Sequence, residues 1–477
     1  MRRTPLLLVP LRMLPLLMVP LLAPPAPAQQ PSRELAEVAA AYAAKVAASA
    51  IFVSGRTLES VLEEELAPTR PLEALIRPLL RFDIDREASR VTCTLGQAKA
   101  TAALRDRLLG CVLVPGNAPD AARLDGRRRR PTVIHDHEHR LSPWPRSDEV
   151  DRGADTGIDR DAVLRALDRA FAEPDPARPV RTRAVVVVHR GQLVAERYAD
   201  GYDRHTPLPG WSMTKSMTNA LLGFAVHEGL FALPADDGER AERTAPDALD
   251  LLTMTAGRRW NESYDDPASD VLTMLFRSAD HAAVFADAAA EASPGTRFQY
   301  ASGATNRLCA LLRSAIGDDP RYWTLPSRLF RKLGMQTAVL EADPSGTFVG
   351  SSYGFASARD WARLGLLYLQ DGVFFGERVL PEGWVAASTT AVPASNGRFG
   401  WHLWLNRDPD GDGPKARRWP ELPEDLFHMD GHEGQYCVMS PSAGLVVVRL
   451  GCTKNGGFDL RGLLRELHDA VPEAAPK

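Results

Sequence analysis

Two side chains one helical turn apart, Ser212 and Lys215, form the pattern with the clearest chemical meaning in this sequence. In a Ser-x-x-Lys segment that opens a helix, hydroxyl and amine lie on one face, where a neutral amine could accept the serine proton. Only seven of the 57 basic residues are lysines, so a basic position here usually holds arginine. Arginine keeps its proton at neutral pH, whereas a desolvated lysine can lose it. The pair therefore predicts a serine nucleophile with a lysine as its base.

The residues that follow predict the helix that would position this pair. Between residues 216 and 229, apolar side chains are spaced for a buried helix that ends at a glycine. Ser212 would then lie at the helix N-terminus, where free N–H groups and the macrodipole favour developing negative charge. The alternative interpretation is a serine that only caps an ordinary helix.

Three other patterns are weaker indications of chemistry. Ser352 stands in a Gly-x-Ser-x-Gly segment, but only a short apolar run precedes it, where a nucleophile elbow needs a buried strand. Residues 408–413 begin like a calcium loop, yet Pro409 and Pro414 do not suit one, and an acidic turn is favoured. Alternate histidines at 135, 137 and 139 lie among charges and prolines, which favours an exposed loop over a metal site. We expect neither a metal nor an organic cofactor.

The first 28 residues have the pattern of a secretory signal. Arg2 and Arg3 precede an apolar stretch, and Ala26-Pro27-Ala28 forms a small-x-small cleavage site. Prolines interrupt the stretch, so a removed peptide is favoured over a stable membrane anchor. Its loss would take away three arginines and no acidic residue, changing the formal net charge from -4 to -7. We therefore expect a periplasmic or secreted protein that does not bind nucleic acid.

The chain is expected to contain two regions after this signal. Residues 29–148 form an N-terminal region of unassigned fold, with helical runs at 33–50 and 58–67 and an alternating stretch at 81–95 that predicts a hairpin. Cys93 and Cys111 in this region could form a disulfide or remain buried thiols. A polar, proline-containing linker would end the region.

The order of elements in residues 149–477 predicts an α/β fold of the α+β type. Strands are expected at 183–189 and 193–198, just before the helix of Ser212, and again at 400–405, 435–440 and 445–450. A mainly helical lobe occupies about 240–395. Distant parts of the chain would thus close one antiparallel sheet flanked by helices, with a site in the cleft between sheet and lobe.

Three motifs in this region resemble those of the serine β-lactamase and penicillin-binding-protein superfamily, in its class C and esterase branch, and are similar to those of 6-aminohexanoate-dimer hydrolases. The first is Ser212-Met213-Thr214-Lys215. The second is Tyr300-Ala301-Ser302, where the family has Tyr-x-Asn or Tyr-x-Ser. The third is Gly431-His432-Glu433-Gly434-Gln435, where other members have Lys-Thr-Gly or His-x-Gly. The resemblance covers residues 183 to 477 and implies a β-lactamase/transpeptidase-like fold.

The resemblance also implies roles for individual residues. Tyr300 would join Ser212 and Lys215 in proton transfer. Backbone N–H groups of Ser212 and Gln435 would form the oxyanion hole. Gly434, on a strand edge, would leave room for the substrate.

Departures from the family pattern bear on the substrate. His432 replaces a lysine that typically grips a carboxylate of β-lactams or stem peptides, and Ser302 replaces an asparagine that contacts an acyl amide. Tyr264 begins a segment that resembles a substrate-side loop of amide-dimer hydrolases, and is a candidate binding residue. The pattern favours an esterase or amidase over a β-lactamase or DD-peptidase.

The sequence thus predicts an exported serine hydrolase of the carboxylesterase or amidase type. It would cleave a small-molecule ester or amide through an acyl-enzyme on Ser212. The alternative from another class is a non-catalytic, penicillin-binding-like sensor on the same scaffold. A β-lactamase or DD-peptidase is the third interpretation.

Overall fold

The computed structural model describes residues 31–68, 71–106, 108–114, 144–150, 156–234, 245–407, 417–454 and 457–472. The predicted signal, the segment with three histidines and the acidic turn at 408–413 lie outside these residues.

Residues 33–114, the N-terminal unit, pack a long helix on a four-stranded antiparallel sheet. The hairpin expected at 81–95 is confirmed, whereas the two strands after it were not predicted. Cys93 and Cys111 are buried free thiols under the helix, so the disulfide alternative is not formed. The elements are α1 (Arg33–Phe52), α2 (Leu58–Glu63), α3 (Pro71–Ile76), β1 (Arg81–Asp85), β2 (Arg90–Leu95), β3 (Ala98–Asp106) and β4 (Gly110–Val114).

Helix α1 packs on the four-stranded sheet through an alanine-rich face. Ser32 caps its N-terminus by accepting a hydrogen bond from the backbone of Leu35. Among the described residues, α1 is the one helix long and apolar enough to span a membrane, with a mean hydropathy of 1.5. Its apolar window is 67% buried within the protein, as expected for a core helix.

The C-terminal region begins with a short helix, a hairpin and the helix of Ser212, then passes through a mainly helical lobe and returns to strands. Its helices are α4 (Arg160–Ala170), α5 (Met213–His227), α6 (Ala248–Leu252), α7 (Asp270–Arg277), α8 (His281–Ala286), α9 (Ser302–Ile316), α10 (Asp319–Lys332), α11 (Ala358–Leu369), α12 (Trp384–Ser388) and α13 (Leu460–Asp469). Its strands are β5 (Thr182–His189), β6 (Gln192–Tyr198), β7 (Leu208–Pro209), β8 (Val339–Leu340), β9 (Gly354–Ala356), β10 (Val373–Phe374), β11 (Glu377–Arg378), β12 (Trp404–Leu405), β13 (Phe427–Gly431), β14 (Gln435–Ser440) and β15 (Leu445–Gly451).

A six-stranded antiparallel sheet joins the early and late strands in the order β12-β13-β14-β15-β5-β6. The junction pairs β15 with β5, from Leu445 opposite His189 to Leu450 opposite Ala184. Strand β5 is buried along its whole length because alternate valines face two different cores. Helices α4 and α13 cover one face, while α5, α11 and the helical lobe cover the other. The predicted fold class, with one sheet closed by distant segments, is confirmed.

One predicted strand is mostly wrong. Of residues 400–405, only Trp404 and Leu405 pair in the sheet. His402 has a φ of 56°, and the chain turns back so that the N–H of Leu405 donates to the carbonyl of Arg398. The alternating apolar residues there form a tight turn and not an extended strand. Strand β13, which pairs with β14 in the sheet, was not predicted.

Candidate active site

The chain enters α5 through a tight turn that exposes one hydroxyl. Trp211 lies in the left-handed region with a φ of 47°, a conformation that costs free energy in a non-glycine residue. Ser212 follows as the N-cap of α5, but its side chain makes no capping hydrogen bond. The interpretation of Ser212 as an ordinary cap is therefore wrong. Its hydroxyl lines a cavity instead.

Lys215 lies directly behind that hydroxyl, with only 2% of the residue exposed. Its Nζ is 2.9 Å from Ser212 Oγ, 3.0 Å from Ser302 Oγ and 3.0 Å from the carbonyl oxygen of Ser351. The structure thus brings the first and second motifs together, across 87 residues of sequence.

An ammonium ion can satisfy these contacts with its three N–H donors, and a neutral amine can satisfy them with two N–H donors and its lone pair. The hydroxyl of Ser302 donates its proton to Glu262, so it must accept a hydrogen from Lys215. The carbonyl of Ser351 can only accept, and takes the second N–H. In the neutral amine, the lone pair then remains for the hydroxyl of Ser212. In this arrangement Lys215 can remove the proton of Ser212.

Burial favours the neutral form of Lys215. Loss of solvent lowers the pKa of Lys215 from the ordinary lysine value to about 8, because a buried ammonium ion loses its hydration. The negative charge of Glu262 opposes this shift. A substantial fraction of the amine is therefore neutral in mildly alkaline solution.

Glu262 is the site residue that the sequence did not reveal. Its carboxylate accepts hydrogen bonds from the hydroxyl and the backbone N–H of Ser302, the latter at 2.9 Å, and from the indole of Trp260. Helix α9 begins after Ala301, which has no side chain that can cap it, so the carboxylate supplies the acceptor. The sequence around Ala301 offers no capping side chain for α9, which indicates that a residue from elsewhere must accept the free N–H. It does not indicate that this residue is Glu262.

Tyr300 completes the predicted triad. It lines the same cavity as Ser212, and its ring centroid is 4.8 Å from Lys215 Nζ. Burial and the charge of Glu262 raise the pKa of the phenol well above its ordinary value, while Ser212 opposes the shift. The phenol is therefore a proton donor at neutral pH. Trp404 stacks on its ring and fixes its position.

An aromatic wall stands beside the triad. The ring of Tyr264 stacks on His432 at 5.0 Å, and Trp211 contacts the same imidazole edge-on at 5.9 Å. His432 is 42% exposed at its side chain and lines the cavity. Tyr264 and His432 thus line the cavity together, and their roles in binding substrate stay predictions.

The third motif is a turn between β13 and β14, and two of its residues are held for structural reasons. The side chain of Gln435 is buried and bonds to the backbone of Gly451 and of His432, so it does not face the cavity. Its backbone N–H as oxyanion donor stays a prediction. Gly434 has a φ of 84°, and a Cβ there would come within 2.5 Å of the guanidinium of Arg449. The glycine is thus required by the turn and by Arg449. It also lines the cavity, and its role in leaving room for substrate stays a prediction.

Ser352, the competing nucleophile, has no comparable setting. It is 1% exposed, and its hydroxyl contacts that of Ser351 at 2.9 Å. Within the described ranges, no group of three or more His, Cys, Asp or Glu side chains is placed to hold a metal ion. The absence of a cofactor stays a prediction.

The charge of Glu262 leads to a prediction about pH dependence. In wild type, kcat/KM should rise as pH increases through about 8, because the neutral form of Lys215 is the base. Replacing Glu262 with glutamine removes the charge that stabilises the ammonium ion, so the acid limb of the profile should move to lower pH. The profile of an ester hydrolysis between pH 5 and about 10 measures this.

Glu228→Gln is the matched control, since this carboxylate pairs with Arg328 at the other end of α5. The control should leave the acid limb in place. An unchanged limb in Glu262→Gln would show that Glu262 does not set the protonation of Lys215.

Comparison with known proteins bears on the family and the fold of this chain. Residues 167–470 match the family model described as Beta-lactamase. The chain is 27% identical over 302 residues to 6-aminohexanoate-dimer hydrolase of Paenarthrobacter ureafaciens, covering 52% of this chain and 75% of the relative. A structure assigned as a 6-aminohexanoate-dimer hydrolase from Bacillus anthracis superposes with a TM-score of 0.50 at 21% identity, covering 68% of this chain and 86% of that chain. SurE with D-Leu gives a TM-score of 0.50 at 22% identity, over 67% and 78% of the two chains.

The matched residues begin in α4 and end in α13, and therefore include all three motifs and the whole six-stranded sheet. The N-terminal unit lies before them. This chain belongs to the beta-lactamase family and carries a hydrolase domain of the beta-lactamase fold.

Proposed function

We propose that the protein is an exported serine hydrolase that cleaves carboxylic ester or amide bonds through an acyl-enzyme on Ser212. The observation that carries this proposal is the buried amine of Lys215 at 2.9 Å from Ser212 Oγ, in an arrangement that leaves its lone pair for the serine proton. The name of the relative from Paenarthrobacter ureafaciens supports an amide or a related carbonyl compound as substrate.

In the proposed reaction, Lys215 takes the proton of Ser212 while Oγ forms a bond to the substrate carbonyl carbon. The developing oxyanion would be held by backbone N–H groups, of which the one on Ser212 is at the start of α5. Tyr300 donates its phenolic proton to the leaving oxygen or nitrogen as the bond to it breaks, and the ammonium ion of Lys215 gives the phenolate the proton that it took from Ser212. Water then attacks the ester carbonyl on Ser212 and loses a proton to the same amine. Lys215 passes this proton to Ser212 Oγ as the bond from Oγ to the acyl carbon breaks and the acid is released.

The surroundings of His432 support an ester or linear amide over a β-lactam. A cationic lysine at this place would attract a carboxylate, whereas His432 is stacked on Tyr264 and next to Trp211. Its imidazole is 3.9 Å from the carboxylate of Glu433, so an anionic substrate group would also meet a negative charge.

Export and a small-molecule partner remain part of the proposal. Export is supported by the arginine pair, apolar stretch and cleavage site in the first 28 residues. The predicted domain boundary near residue 148 is supported by the self-contained sheet and core of residues 33–114.

A substrate panel tests the proposed function. Purified protein would be assayed with p-nitrophenyl butyrate, a linear N-acyl amide, nitrocefin and a fluorescent penicillin. We expect repeated turnover of the ester or the amide, with nitrocefin hydrolysis at least about 100-fold slower, a difference of roughly 2.7 kcal/mol in transition-state binding. Ser212→Ala should abolish the turnover.

The other outcomes contradict the proposal in different ways. Stoichiometric labelling by penicillin without turnover of any substrate would favour the sensor. Rapid hydrolysis of nitrocefin would favour a β-lactamase.

A further inference from the structure

A cavity of about 740 Å³ opens over Ser212, between the C-terminal region and the N-terminal unit. This volume is in the upper part of the range of about 300–1,000 Å³ that is usual for ligand pockets. Trp211, Tyr264 and Tyr300 form the wall next to the nucleophile. A small ester bound at Ser212 would leave most of this space unfilled.

The opposite wall comes from the N-terminal unit. Four side chains of α1 at positions i, i+3, i+4 and i+7 face the cavity, which is the spacing of one helix face. They are Leu35, Val38, Ala39 and Tyr42. Ile76 and Leu80 continue the apolar surface.

Apolar side chains of α7 line the cavity beside this helix. Leu272 and Phe276 line it one helical turn apart, and the rings of Tyr42 and Phe276 meet edge-on at 5.5 Å. The cavity is therefore bounded by apolar surface from both helices as it leads away from Ser212.

Buried polar contacts fix the N-terminal unit in this position. Lys45 of α1 pairs with Glu341, whose carboxylate also accepts hydrogen bonds from Ser49 and, at 2.6 Å, from the backbone of Cys111. At another point, Arg183 of β5 donates to Glu65 at 2.6 Å. The wall is thus held at two places by charges that would be costly to separate.

Several charged groups that line the cavity are already engaged. Arg77 donates to the carbonyl of Leu62 at 3.2 and 3.1 Å, and Lys454 donates to the carbonyl of Ala67 at 2.9 Å. Glu65 is paired with Arg183. These polar groups are held in contacts within the protein, which leaves the apolar side chains as the main surface for a ligand on this side of the cavity.

We propose that the N-terminal unit selects the substrate, and that the substrate is an ester or amide carrying an extended, uncharged apolar chain that lies along the cavity surface formed by α1 and α7. This inference rests on the proposed hydrolase function. The wall that the N-terminal unit contributes to the cavity lies before residues 167–470, which match the family model. The proposed selection is therefore a property of this chain's own N-terminal unit.

Two series of esters test the inference on the full chain. One series varies the acyl chain of p-nitrophenyl esters from acetate through butyrate and octanoate to dodecanoate. The other keeps the acetyl group and lengthens the alcohol, so the two series distinguish an acyl chain from a leaving-group chain. In one of them, kcat/KM should rise with chain length by up to roughly fourfold per buried methylene.

Substitutions in α1 test whether the cavity wall formed by this helix causes the preference for long esters. Ala39→Trp fills the cavity and should lower kcat/KM for the preferred long ester by at least about 10-fold while acetate hydrolysis stays within about twofold. Ala88→Trp, the same substitution in the exposed turn between β1 and β2, should leave both unchanged. Leu35→Trp, at a half-buried position, provides a second test if Ala39→Trp does not fold.

The outcomes separate this inference from the proposed function. The inference alone is overturned if the acetate ester is hydrolysed but kcat/KM does not rise with chain length in either series. It is also overturned if a folded Ala39→Trp or Leu35→Trp variant lowers kcat/KM equally for short and long esters. No hydrolysis of any ester or amide, with no labelling of Ser212, overturns the proposed function and the inference with it.

Discussion

Replacing Lys215 with arginine should lower kcat/KM for an ester substrate by about 10²- to 10⁴-fold, although the positive charge is kept. Arginine cannot give up its proton near neutral pH, so it cannot act as the base for Ser212. In a folded variant, raising the pH to about 10 should not restore the activity, because the guanidinium pKa lies above 12. Steady-state kinetics across this pH range measure the effect.

Lys332→Arg is the matched control. Lys332 is at the end of α10, where it pairs with Glu377 at the surface, and its replacement should leave kcat/KM within about twofold. Near-normal activity in a folded Lys215→Arg protein would mean that Lys215 acts only as a charge.

Replacing Lys45 with methionine should lower the free energy of unfolding by about 3–5 kcal/mol. The change leaves the carboxylate of Glu341 buried without its counter-ion, beside Ser49 and the backbone of Cys111. The ammonium ion of Lys45 also lies 3.9 Å from the centroid of the Tyr353 ring. Urea unfolding of the full chain, followed by tryptophan fluorescence and circular dichroism, measures the loss.

Lys99→Met is the control, since Lys99 is an exposed residue of β3 and its replacement should cost less than about 0.5 kcal/mol. A Lys45→Met/Glu341→Met double variant should recover part of the loss, because the unpaired charge is gone. The recovery should be incomplete, since the hydroxyl of Ser49 and the N–H of Cys111 then lack their acceptor. Equal stabilities of Lys45→Met and wild type would show that this pair does not hold the N-terminal unit.

The local parts of the fold could be predicted from sequence because their signals are short-range. Strand β14 has the predicted bounds, and β5 and β15 differ from theirs by a single residue each. Ser212 and Lys215 are one helical turn apart, so their contact follows from helix geometry alone. Tyr300 could be placed beside them only through the resemblance in motif order, since 85 residues separate it from Lys215.

Other features depend on contacts that no local pattern encodes. Glu262 has the ordinary appearance of a loop acid, and its role follows from the placement of its carboxylate at the start of α9. The docking of α1 depends on pairing Lys45 with an acid 296 residues away. Residues 400–405 alternate like a strand, but the left-handed backbone of His402 reverses the chain there. The first two features depend on contacts between residues that are distant in the sequence. At residues 400–405, tertiary packing overrides the local strand pattern.

Covalent trapping of the nucleophile tests the central claim most directly. The protein would be incubated with a fluorophosphonate, digested and mapped by mass spectrometry, with a folded Ser212→Ala variant treated in parallel. We predict one phosphonyl adduct on the peptide that contains Ser212, and neither adduct nor ester turnover in the variant. An adduct on the peptide of Ser352, or labelling and turnover that persist in Ser212→Ala, would contradict the account.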